Sequence, residues 1–450
     1  LGTAVDIGAY EHVPSAELDG SFTIATLTPA RNTTTRLKAV VSGGTAPYSY
    51  QWLINGVAVA EGTDQSTLDY IFPGGNHTVT LVVTDAADAS IERGAPGTVT
   101  VLVPETYVGL SGSNTEPYDT PAKAAHDIFD AHSLTDAGGT VRVLPGNYTL
   151  ASQIKFSRAN VTIRSTEGPE KTVFAVAPGV SAVNLAAAGA ILDGITLEGF
   201  NATAVTFYYN DTIVTNCVIR RGTAMAINFG ARGLLANCTV EGVTNSAQVI
   251  YMASNQAGSG TSTLRNCRFL KNRSTGNYTF HFYNQGVLVR NCLFAGNDSS
   301  SQPIIRIHST QMGTPTFESC TFVDNVGTSW ASVENTSSTI NFRNNVYSGN
   351  VTKTGVTTPL GAGAKLSANN CVVDATNNTY GTWADIYLTG EPGLRANHEP
   401  RAGSVCIDHG LYQTWMTTAL DLNGLPRILK KSVDIGAFEW KMVGSFILVR

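Results

Sequence analysis

Six segments of this chain repeat one short motif at near-regular intervals, and that repeat constrains the fold more than any other feature. In order they are Asn216-Cys217-Val-Ile, Asn237-Cys238-Thr-Val, Asn266-Cys267-Arg-Phe, Asn291-Cys292-Leu-Phe, Ser319-Cys320-Thr-Phe and Asn370-Cys371-Val-Val. The double-length gap after Cys320 contains Asn344-Asn345-Val-Tyr, with Asn345 in the cysteine slot, and Asp193-Gly194-Ile-Thr fits the same slot earlier. A period of roughly 21 to 29 residues marks a solenoid of stacked supersecondary units.

The content of each unit selects the kind of solenoid. Short alternating runs such as Val287-Leu-Val and Thr339-Ile-Asn-Phe recur, and no unit has a helix-length amphipathic stretch. A second alternating run lies between successive motifs, over 204–209, 226–229, 249–253, 279–284, 304–308 and 331–334. It points residue pairs such as Val205 and Phe207, Phe280 and Phe282, or Ile305 and Ile307 to one face. Helical and leucine-rich repeats do not fit, and a parallel β-helix does. Its coils stack the cysteines above one another as small buried hydrophobes, which predicts a reduced ladder. Seven cysteines cannot all pair within one chain, and no C-x-x-C spacing suggests a metal. No cofactor or metal is expected.

Composition agrees. Charged residues make up 14%, against roughly 25% in an average soluble protein, and the chain holds 44 glycines. Net charge is −5 with no basic block, so nucleic acid is not an expected partner. No apolar run is long enough for a transmembrane helix, so no membrane insertion is expected. Asn-x-Ser/Thr triplets begin at Asn147, Asn210, Asn277, Asn350 and elsewhere; a chain rich in Asn and Thr produces these by chance.

Residues 19–104 differ in texture, with strand-like runs separated by turns such as Gly43-Gly44 and Asn55-Gly56. The passage Gly43-Gly-Thr-Ala-Pro-Tyr-Ser-Tyr-Gln-Trp52, with Pro73-Gly-Gly-Asn-His-Thr-Val-Thr-Leu-Val-Val-Thr-Asp85, resembles polycystic-kidney-disease-type (PKD) Ig-like repeats. That resemblance implies a β-sandwich with Trp52 in its core and a spacer role. Pro104 marks the junction. Thr120-Pro121, as N-cap and first helical residue, predicts a short capping helix near 120–133, with His126 and His132 as cap or surface residues.

The far end reads Ser404-Val-Cys-Ile-Asp-His-Gly, then Asp421-Leu-Asn-Gly, Arg427 and Val433-Asp-Ile-Gly-Ala-Phe-Glu-Trp440. Together with Tyr107-Val-Gly-Leu-Ser-Gly-Ser and Pro145-Gly146-Asn147-Tyr148-Thr149, it resembles bacterial right-handed β-helix proteins of the pectin-lyase-like superfamily, of the choice-of-anchor Q type. The resemblance covers 106–440. It implies the fold and a secreted or cell-surface location, and it leaves activity open, because this fold hosts lyases, hydrolases and adhesins. The expected organisation is therefore all-β: a terminal segment over 1–18, an Ig-like sandwich over 19–104, a right-handed parallel β-helix over 105–440 and a C-terminal strand over 441–450.

Val5-Asp-Ile-Gly-Ala-Tyr-Glu-His12 matches Val433–Trp440, and Gly20-Ser-Phe follows the first copy as Gly444-Ser-Phe follows the second. The pattern suggests units joined head to tail by strand addition, with Val5, Ile7, Tyr10, Phe446, Ile447 and Leu448 as candidate intersubunit residues. The expected partners are copies of the chain itself, and polysaccharide.

Outward positions of the second strand run hold Tyr251, His281, Tyr283, Arg306, His308 and Glu334. Coming from neighbouring coils, they form a candidate glycan-binding patch. Two functions compete. One is a non-enzymatic surface filament, stalk or adhesin unit, suggested by the matched termini and the spacer-like module. The other is a lyase of acidic polysaccharide, with His281 or His308 as base, Tyr283 as acid and Arg306 on the sugar carboxylate. Hydrolysis needs two carboxylates about 5–9 Å apart, and Glu334 stands almost alone among these strands.

Overall fold

Two left-handed backbone corners per coil, five residues apart in sequence, shape the larger part of this chain. The first corner is Gly194, Asn216, Asn237, Asn266, Asn291, Ser319 or Asn344, and the second is Gly199, Arg221, Gly242, Lys271, Gly296, Asp324 or Gly349, all with φ between 51° and 76°. Asparagine and glycine tolerate this conformation best, which explains the Asn preceding each Cys. The computed structural model describes residues 16–253, 260–283, 286–299, 302–308, 315–328, 331–333, 339–352, 365–373, 387–389, 391–429 and 432–441.

The chain divides into two units, 1–141 and 142–450. In the first, Asp19–Ile24, Thr35–Ser42 and Thr67–Tyr70 form one antiparallel sheet, while Val57–Gly62, Ser49–Ile54, Val79–Thr84 and Ser90–Gly94 form another. Trp52 is fully buried between them, edge-on to Phe22 at 5.2 Å, and its indole N–H donates to the Gln65 carbonyl. Asn55 and Gly56 both have positive φ, as a tight hairpin turn requires.

The expected capping helix begins later than its Thr-Pro signal. Pro121–Lys123 makes only a 3-10 turn, and helix α1 spans Ile128–Leu134. Thr120 makes no side-chain cap, whereas the Asp127 carboxylate accepts the Phe129 N–H. Ala125 lies between the two in a parallel bridge with Val108, which prevents the helix from starting earlier. His132 is buried in α1 rather than on the surface.

In the second unit the coils build parallel sheets, three along the early coils and a fourth from Thr244 onward. The first sheet includes Thr212–Thr215, Gly233–Ala236, Thr261–Arg265, Gly286–Arg290 and Thr316–Glu318. The second, between the two corners, has eleven strands, from Gly146–Leu150 to Tyr387–Thr389. A fourth, of two-residue strands, starts at Thr244–Asn245, and the third runs from Ile154–Lys155 to Ala331–Val333. Strands pair in parallel, one coil to the next, so like positions stack.

The interior shows this stacking directly. Phe269, Phe294, Phe322 and Tyr347 lie face to face at 4.7–4.9 Å. All seven cysteines are buried and outside any disulfide, and Cys267 and Cys292 direct their thiols to the carbonyls two residues back. Next to the second corner stands a buried column of amides: Asn272, Asn297, Asn325 and Asn350. Each of the first three donates its side-chain N–H to the side-chain oxygen of the next, at 2.8–3.1 Å. In the four coils that carry this column the motif extends to [Asn/Ser]-[Cys/Asn]-x-[Phe/Tyr]-x-x-Asn. It also explains three of the Asn-x-Ser/Thr triplets. Asn272, Asn297 and Asn350 are buried ladder members that no glycan can reach, and the triplet reflects inward alternation rather than chance.

The closing motif turns out to be a strap along the outside of the second sheet. Leu422, Ala437 and Phe438 pack on Leu293, Ala295 and Val323, while Ile435 and Cys406 pack on Val346 and Val372. Gly436 donates to the Asn344 carbonyl at 2.7 Å, and a Cβ there would meet Val346 at 2.9 Å, so only glycine allows the approach. Beneath the strap, the fully buried Arg427 pairs with Glu439 at 3.2 Å and donates to the carbonyls of Gly436 and Asp434. Asp421 accepts the backbone N–H groups of Asn423, Leu425 and Glu439. These motif residues are structural.

Asn297→Ala removes two donors and the acceptor used by Asn272, and should lower stability by about 3 kcal/mol in denaturant titration, while Lys271→Gly at the adjacent corner should be tolerated. Burial pushes the Glu439 carboxyl up from 4.5 to about 8. The folded chain thus holds this proton while the unfolded chain releases it, so stability should fall as pH rises from about 4.5 to about 8. Glu439→Gln should flatten that dependence.

Candidate functional site

The third sheet brings the sequence-selected residues into two adjacent columns. Parallel register places Tyr251 beside His281 and His281 beside Arg306; two positions on, Tyr283 pairs with His308. Phe280 and Phe282, flanking His281 in sequence, point inward and are buried, which fixes the opposite face for the histidine. Glu334 lies outside the described residues, as do Val5, Ile7, Tyr10, Phe446, Ile447 and Leu448, and of His308 only the backbone strand is described.

His281 differs from the sequence expectation of an exposed group: it is only 5% exposed. Three tyrosines surround it, with ring centroids at 5.1 Å for Tyr251, 5.6 Å for Tyr278 and 5.8 Å for Tyr283. The Gln248 side-chain amide lies 3.2 Å from His281 Nδ1. With that amide donating, Nδ1 is an acceptor already in use and the ring proton sits on Nε2. The Arg306 guanidinium lies over the Tyr278 ring at 4.8 Å, a cation–π contact that fixes its plane. Burial raises the Tyr251 phenol above its ordinary value; Tyr283 adds to this and Arg306 opposes it. Tyr251 therefore remains a hydroxyl donor at neutral pH.

Tyr278 and Gln248 were not evident from the sequence. Both precede their strand in the irregular part of the coil, where no alternation assigns a face. The cluster brings aromatic faces, phenolic hydroxyls and a planar cation together on one side of the third sheet. Among the described residues, no group of three or more His, Cys, Asp or Glu is placed to hold a metal.

Comparison with known proteins bears on the fold. The sequence model of the family described as "Right handed beta helix region" matches residues 159–345. No curated protein matches the chain. Among solved structures, pectate lyase Pel9A is similar at 12% identity and a TM-score of 0.43, over 76% of this chain and 97% of its own. The family 28 exopolygalacturonase of Yersinia enterocolitica is similar at 10% identity and a TM-score of 0.28, over 79% and 92%. The A-module of mannuronan C-5 epimerase AlgE6 from Azotobacter vinelandii is similar at 13% identity and a TM-score of 0.27, over 59% and 93%.

The burial of His281 generates a prediction. His281→Ala should lower stability by about 1–3 kcal/mol in denaturant titration, whereas an exposed histidine replaced in the same way leaves stability within about 0.5 kcal/mol.

Proposed function

We propose that this right-handed β-helix protein is a non-enzymatic, exported unit of a cell surface, an adhesin or stalk, whose third sheet binds acidic polysaccharide. The observation that carries the reading is the placement of His281. The most plausible base of the patch is enclosed by tyrosines, and its Nδ1 faces a donor amide. Such a group orders its neighbours and is poorly placed to remove a sugar proton. Tyr251, Tyr283 and Arg306 then bind an acidic sugar by stacking, hydrogen bonding and charge.

Head-to-tail repetition is part of the proposal. Val433–Trp440 is a strap held by a buried Arg427–Glu439 pair, and Val5–His12 repeats its sequence with Asp6 and Glu11 at the positions of Asp434 and Glu439. A second strap sequence suits an array in which solenoids alternate with sandwich modules.

The adjacency of His281, Tyr283 and Arg306 favours a second reading, elimination at a uronate, because base, acid and cation are neighbours. Incubation of the full chain with acidic polysaccharides separates the two. Retention of intact glycan, weakened about tenfold by Tyr283→Ala, is expected. Release of unsaturated oligosaccharides, lost on His281→Ala, would overturn the non-enzymatic reading.

A further inference from the structure

The thiol column lies inside the solenoid, apart from the third-sheet patch. Five cysteines, Cys217, Cys238, Cys267, Cys292 and Cys320, hold one slot in five successive coils, because the residues that follow them pair in register. All five are at most 1% exposed. They share one side-chain geometry. Each thiol lies 3.1–3.4 Å from the carbonyl two residues back and 3.5–3.8 Å from a carbonyl of the preceding coil. The column is bounded at both ends. Ile195 holds the slot before Cys217, and Asn345, which accepts the Cys320 N–H at 2.8 Å, holds the slot after Cys320. Cys371 stands beyond Asn345, and Cys406 belongs to the strap.

Equal side-chain geometry separates neighbouring sulfurs by the coil spacing, about 4.8 Å. Two metal–thiolate bonds of about 2.3 Å placed in line span about 4.6 Å. The gap between successive thiols therefore matches a two-coordinate sulfur–metal–sulfur bridge. The angle at sulfur also fits, since each buried Cys side chain points across the solenoid axis while the bridge runs along it. Cations that take four ligands find no site here: among the described residues, no three His, Cys, Asp or Glu converge. Thiols select soft cations instead. Close cysteine pairs such as C-x-x-C do not report such a bridge, because register sets its ligands side by side at separations of 21 to 29 residues.

We infer that the thiol column is a site for soft monovalent cations, copper(I) or silver(I), each bridging the sulfurs of two successive coils. Binding breaks one S–H bond and releases that proton to solvent. The resulting thiolate and the neighbouring thiol each form one bond to the ion. The bridge is neutral overall, as a core closed to water requires, and nothing is oxidised or reduced. A sulfur bonded to ions on both sides along the axis would have to be straight, and sulfur bonds are bent, so each cysteine joins one bridge. Five cysteines in a row then hold two ions and leave one thiol over. Each ion ties two coils together and stabilises the folded chain, since the unfolded chain does not hold the sulfurs in pairs.

Native mass spectrometry of the reduced full chain tests the inference by counting ions. The chain is incubated with silver(I) just below its unfolding temperature, where the core opens transiently, and washed with free cysteine to strip singly held ions. The unmodified chain should retain two ions and unfold at a higher temperature than the metal-free chain. Cys267→Ala leaves the pairs Cys217–Cys238 and Cys292–Cys320 and should still retain two. Cys238→Ala and Cys292→Ala, equally small changes in the core, each leave one pair and should retain one ion. The double variant should retain none, with circular dichroism confirming that each variant is folded. X-ray absorption should find two sulfur neighbours per silver. No silver on the unmodified chain, or equal loss from Cys267→Ala and from the Cys238→Ala or Cys292→Ala variant, would overturn the inference.

Discussion

In-register parallel pairing between coils is the constraint on which the second unit depends. It requires each coil to return to the same place, and the paired left-handed corners, five residues apart, accomplish that return. An L-residue in this conformation costs about 1–2 kcal/mol, which is why Asn and Gly fill most corner positions. The exceptions, Arg221, Lys271, Ser319 and Asp324, are held by the same pairing on both sides. Once register is set, like side chains stack. Phenylalanines lie ring on ring, thiols form a column, and the inner asparagines satisfy one another where water cannot reach.

The same register creates surfaces. A residue type repeated on an outward column becomes a row. The third sheet brings aromatic rings around His281 and Arg306, and the first lines up Arg290, Glu318 and Arg343 as an ion-paired column. The closing strap takes a third side. Its Asp, Arg, Gly and Glu residues form a buried network against the second sheet, so the most conspicuous motif in the chain serves stability rather than chemistry.

Much of this was legible in the sequence, because the fold is periodic. The Cys-centred repeat gave the coils, the alternation in 279–284 gave the inward Phe280 and Phe282, and the Trp52 passage gave the sandwich core. What escaped detection lies where periodicity does not decide. The inner Asn ladder sits five residues after Cys267, Cys292, Cys320 and Asn345, and its signal was present but was absorbed into chance Asn-x-Ser/Thr triplets. The helix start moved to Asp127 because a bridge at Ala125 intervened, a tertiary contact that no cap rule contains. His281 was assigned to the correct face, but its burial comes from Tyr278 and Gln248, contributed by irregular segments of two coils. Strand alternation says which way a side chain leaves the sheet, and neighbouring loops decide whether it meets solvent.

The most direct measurement is a crystal structure of the full chain soaked with a uronate oligosaccharide. The account predicts an intact sugar chain running across coils, its ring faces on Tyr251 and Tyr283 and a carboxylate on Arg306. A cleaved, unsaturated product beside His281, or a chain bound away from the third sheet, would contradict it.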